Sequence, residues 1–141
     1  MKKTVSKFVL ALALLASTAS PAADVEVTVS NIRNDNGLIR VALCKRASFL
    51  QPHCPWQGNA QAAIGAVTVI VKNVPPGTYA AQAFHDEDGN GTLERSFLGL
   101  PKEGMGFSNN APMHFGPPRF DAAAFDVSTN GAKIDFALKY Y

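Results

Sequence analysis

The segment HDEDGNGTLE at residues 85–94 places Asp86, Asp88 and Asn90 at alternate positions and follows them with Gly91. Oxygen-bearing side chains at alternate positions ahead of a glycine turn are how a tight loop points several ligands at one hard cation. The Thr92 carbonyl and the Glu94 carboxylate, directly or through water, fall at the seventh and ninth places of a twelve-position calcium loop. The twelfth place is Phe97, where helix-loop-helix calcium proteins carry a bidentate glutamate. A closing ligand must therefore come from elsewhere, and Glu103 in the next segment is the candidate. Calcium is the expected ion, because it accepts many oxygen ligands in loose geometry. Without an ion, the same Asp and Asn side chains would bond back to nearby amides and hold a turn.

Other groupings carry less chemistry. His85, Met105, Met113 and His114 are ligand types that hold copper, but their spacing matches no copper motif. Core packing accounts for the methionines and a local hydrogen bond for the histidine. Ser108 stands in Gly-Phe-Ser-Asn, without the small-residue elbow that surrounds a hydrolase nucleophile. Glu94 and Glu103 are the carboxylates that a hydrolytic enzyme built on this loop would use, for example across a glycosidic bond. Phe107, Asn109, Asn110 and Phe115, set among glycines and prolines, offer aromatic and amide groups suited to a glycan or a peptide, or else cap a core.

The acidic loop needs an element to hold it, and TYAAQAFH just before it has the bulky, β-branched character of a strand. The loop therefore leaves a sheet, which excludes the helix-loop-helix setting. Val25, Val27 and Val29 alternate with Glu26, Thr28 and Ser30, the period of a strand with one buried face. Ile39, Val41 and Leu43 repeat it, as do Val67, Val69 and Val71, then Ala123, Phe125 and Val127, and lastly Ile134, Phe136, Leu138 and Tyr140. Asn36-Gly37, Pro75-Pro76-Gly77 and Asn130-Gly131 punctuate the strands, and Asn36-Gly37 suits a primed hairpin turn. One or two helical turns are expected only around 57–63. Six or so strands predict an all-β, antiparallel β-sandwich, with a closed barrel as the other architecture. One long irregular loop, about 86–120, remains, and its aromatics argue for packed order.

Lys2, Lys3 and Lys7 precede the apolar run FVLALALLA at 8–16, and Ser20 and Ala22 supply small residues beyond it. This pattern predicts a signal peptide over 1–22, cut after Ala22 or after Ala19, and a single domain over 23–141 in the periplasm or the medium. The run is too short to span a bilayer. Cleavage removes three of the 13 basic residues and none of the 11 acidic ones, so a net charge of +2 becomes −1. No basic cluster then remains to recruit nucleic acid or anionic lipid, and a monomer without a membrane span is expected. Cys44 and Cys54, an even pair in an exported chain, predict a disulfide rather than a redox or metal pair.

Three motifs in order, NVPPGTYAAQAFHDEDGNG, LGLPKEGMGFSNNA and FGPPRFDAAAF, resemble the bacterial exported family catalogued as domain of unknown function 2141. The resemblance runs from about Val25 to Tyr140. It implies an immunoglobulin-like or transthyretin-like sandwich outside the cytoplasm, and it brings no activity with it. The Gly-x-Tyr step at 77–79 is similar to the strand start of carboxypeptidase-regulatory-like sandwiches, which serve as noncatalytic modules. The function expected is therefore a binding or envelope-associated module with an unidentified glycan or peptide ligand and a calcium loop. The other expectation is a hydrolase using carboxylates of residues 86–103.

Overall fold

The structure, a computed structural model, describes residues 2–7, 9–15 and 21–141. The expected leader falls partly outside them, Ala19 and Ser20 included. Eight strands follow in order: β1 (Ala23–Ile32), β2 (Leu38–Cys44), β3 (Trp56–Gln61), β4 (Gly65–Val74), β5 (Gly77–Asp86), β6 (Met105–Phe107), β7 (Ala124–Val127) and β8 (Ala132–Ala137). One helical turn, α1 (Phe120–Ala123), precedes β7. Among the described residues no helix is long and apolar enough to cross a membrane.

The strands form two sheets, β4-β1-β8 and β3-β2-β5-β6, with β7 also pairing β5. The all-β expectation holds. Val25, Val27 and Val29 of β1 meet Ile39, Val41 and Leu43 of β2 in one core, with Val69, Val71, Tyr79 and Phe136. Alternation produces this layer: each strand turns every second side chain inward, and burying each such side chain contributes about 1.5–3 kcal/mol.

Several local expectations give way. Residues 57–61, part of the stretch expected to turn helically, belong instead to β3, which pairs with β2 in register, Leu43 opposite Trp56. Sheet pairing overrides their weak strand character. Asn36-Gly37 makes no hairpin, because β1 and β2 lie in different sheets. The turns at Pro75-Pro76-Gly77 and Asn130-Gly131 likewise carry the chain across the sandwich. The pairing of β1 with β8 is parallel, the exception among the strand pairs of the described residues.

The stretch expected to be irregular also holds a strand. β6 pairs antiparallel with β5, Phe84 opposite Met105 and Gln82 opposite Phe107. Its side chains lie on the outer face of the second sheet, where Ala80, Met105, Phe107, Phe120 and Ala123 build a second apolar cluster. Phe49 meets both Phe107 and Phe120 edge to face. Leu93, Ala111, Met113 and the 120–123 turn thus cover that face as a third layer.

The Cys44–Cys54 disulfide forms, with its Cα atoms 5.1 Å apart. It ties the end of β2 to the loop that leads into β3.

Candidate functional site

Asp86 is the last residue of β5, and the two neighbours of β5 decide what surrounds it. Phe84 lies opposite Arg40 of β2 on one side and opposite Met105 of β6 on the other. The His85 amide donates to the Gly104 carbonyl at 2.8 Å, carrying the β6 pairing one residue further. The next step of that register sets Asp86 beside Glu103. Arg40 shares the outward face, two places from Asp86, and its Nε donates to Asp86 Oδ2 at 2.6 Å.

The loop then wraps back on Asp86. The Gly91 amide donates to Oδ2 at 2.9 Å and the Asn90 amide to Oδ1 at 3.1 Å. Gly91 has φ +78°, the left-handed conformation that turns its amide inward. The Asn90 amide also reaches Asp88 Oδ1 at 3.2 Å. Gly37, at φ +67°, sits so close that a β-carbon there would run into the Asp86 carbonyl.

One oxygen from each of Asp86, Asp88 and Glu103 lies within 4.8 Å of those from the other two. Asp86 and Glu103 are buried, whereas Asp88 is exposed. Glu103 is 6% exposed, and its Oε2 has no hydrogen-bond partner among the described residues. Burial, first, and then the charges of Asp88 and Asp86 raise the Glu103 carboxyl above its ordinary range, while a hydrogen bond from the Glu87 amide pulls it back. Burial pushes Asp86 upward as well, but Arg40 and the Gly91 amide outweigh it and leave the carboxyl below the usual range. Two carboxyl groups of one cluster are thus driven apart by their partners.

The remaining expected ligands stand in the same loop. Asn90 directs Nδ2 to Asp88 Oδ2 at 3.1 Å and to Glu94 Oε1 at 2.8 Å, while its Oδ1 accepts the Thr92 amide at 2.9 Å. Glu94 therefore joins the carboxylates through the Asn90 amide. Arg40 was invisible to spacing; the alternation of Ile39, Val41 and Leu43 puts it on the outer face, but the register that aims it at Asp86 is not local.

The soft-ligand grouping dissolves. His85 is fully buried, with Nε2 at 2.7 Å from the Asn36 carbonyl and Nδ1 at 2.9 Å from the Tyr140 hydroxyl, so both nitrogens are occupied. Met105 lies on the opposite face of the sheet. Ser108 is also buried, donating to the Ala123 carbonyl and accepting the Ala81 amide at 2.9 Å. Asn110 Oδ1 accepts the Ala137 amide at 2.9 Å, and Asn109 Nδ2 donates to the Ala124 carbonyl at 2.8 Å. These polar groups stitch the third layer to the sheets, and Phe107 of β6 packs beneath it.

Fold and site describe a disulfide-closed, two-sheet β-protein with an acidic cluster where one sheet ends. The chain belongs to the bacterial family of domain of unknown function 2141, described as uncharacterized protein conserved in bacteria, whose model matches residues 27–135. No curated protein matches the chain, and no solved structure does.

Proposed function

We propose that Asp86, Asp88 and Glu103 hold a divalent cation, calcium by preference, in an exported β-sandwich module that binds a ligand and performs no catalysis. The observation that carries this is Glu103 Oε2, buried without a partner among the described residues and grouped with two further carboxylates. An unpaired buried carboxylate is costly, and a cation between the three groups would supply the missing partner. An all-oxygen donor set favours a hard ion. Asn90, Thr92 and Glu94 complete the ligand set, with the Asn90 amide turned so that Oδ1 faces the ion. The basic start, the short apolar run and the disulfide support export.

The role of the ion is to fasten the third layer to the end of β5. Melting in calcium and in chelator tests this. At about one hundred times its dissociation constant a ligand adds about 2.7 kcal/mol, several degrees of melting temperature in a domain of this size. Asp88→Ala, at an exposed site, should abolish the gain while leaving the chelator melt intact. Equal melting of wild type in calcium and chelator would sink the proposal.

The alternative is a hydrolase using the carboxylates of residues 86–103, favoured by the raised Glu103 carboxyl, since a general acid needs that property. Against it, Glu103 is almost wholly buried. Hydrolysis of a glycan or ester panel that Glu103→Gln abolishes, in a protein whose melting ignores calcium, would decide for the enzyme.

A further inference from the structure

Residues 94–103 form a small hairpin, in which the Lys102 amide donates to the Glu94 carbonyl at 2.8 Å and the Ser96 amide to the Leu100 carbonyl at 2.7 Å. Its tip is apolar and solvent-facing: Phe97 is 97% exposed, Leu98 71% and Leu100 48%. Phe115 on the loop alongside is fully exposed. Leu98, Leu100 and Phe115 line one cleft of about 350 Å³, so the two loops stand side by side. Large apolar side chains grouped in water mark a surface with a partner.

Charge narrows the partner. From Glu94 to Phe120 the exposed ionic side chains are Arg95, Lys102 and Arg119 against one carboxylate, Glu94, because Glu103 is buried. Arg95 lies against the hairpin, its Nη1 donating to the Gly99 carbonyl at 3.1 Å. The exposed ionic groups of this segment thus carry a cationic excess, against the expectation drawn from the net charge of −1 beyond residue 22 that no basic group would meet anionic lipid. Shape narrows it further. Phe97 and Leu98 project from a turn, a form that inserts into a deformable hydrocarbon phase, whereas a protein partner would need sockets matched to each.

We propose that the tip of the 94–103 hairpin, together with Phe115, docks on an anionic phospholipid bilayer, apolar side chains entering the interface and Arg95 and Lys102 meeting the headgroups. The protein is purified from cells expressing the full chain and sedimented with vesicles of phosphatidylcholine alone or mixed with phosphatidylglycerol, in calcium and in chelator. The expected result is sedimentation with the mixed vesicles that weakens as salt rises. Phe97→Ser with Leu98→Ser, both exposed, should weaken it roughly tenfold or more at unchanged melting temperature. Arg95→Gln with Lys102→Gln should remove the preference for anionic lipid. Binding in calcium alone supports docking and makes the acidic cluster its regulator. Wild type failing to sediment, the Phe97/Leu98 variant sedimenting equally, or a wild-type dimer that this variant lacks would each overturn the proposal. The cation site is judged by melting, so the two can fail separately.

Discussion

The Glu103 and Asp86 carboxyl groups respond to pH in opposite senses. In chelator, native Glu103 keeps its proton at a higher pH than it does in the unfolded chain, where the ordinary value is 4.5. The folded state therefore gains stability as pH falls through the raised value, and the gain is complete by 4.5. Asp86 contributes stability above its ordinary 3.8 and loses it as pH falls through the lowered value. Glu103→Gln should flatten the slope above pH 4.5 in urea titrations run in chelator. An unchanged slope would assign that dependence to another group. Asp86, Asp88 and Asn90 were legible because loop ligands are set by spacing within a few residues. Arg40 was not, since its contact depends on which residue of β2 lies beside β5. Glu103 could be named as a closing ligand, but its place opposite Asp86 rests on a three-residue strand too short to leave a periodic pattern.

Elements repeat the same division. The valine alternation of β1 and β4 and the inward side chains of β2 were readable because one buried face imposes period two. The turns were readable as turns, yet whether a turn joins neighbours in a sheet or crosses between sheets depends on packing at a distance. Hence Asn36-Gly37 suggested a hairpin and instead crosses the sandwich, with Gly37 wedged against the end of β5. Gly37→Ala should destabilise the protein by more than about 1 kcal/mol, read as a lower urea midpoint, because it adds left-handed strain to a contact with the Asp86 carbonyl. A midpoint equal to wild type would mean the turn can move away at little cost. The disulfide closes a loop of ten-residue separation. Replacing Cys44 and Cys54 together by alanine should cost roughly 2–3 kcal/mol by the same measurement.

For the molecule as a whole, the expected cut after Ala22 is tested by intact mass: protein recovered from the cell envelope should begin at Ala23, the first residue of β1. A chain retaining Lys2, Lys3 and Lys7 would refute the cut. The strand topology has a further consequence for order in time. β1 is the inner strand of its sheet, and one of its two neighbours, β8, ends at Ala137. A chain emerging N-terminus first must leave one hydrogen-bonding edge of β1 unpaired until residues 132–137 are out. Closure of that sheet therefore waits on a partner more than a hundred positions downstream, and until it arrives the open edge of β1 is a site for pairing with another chain.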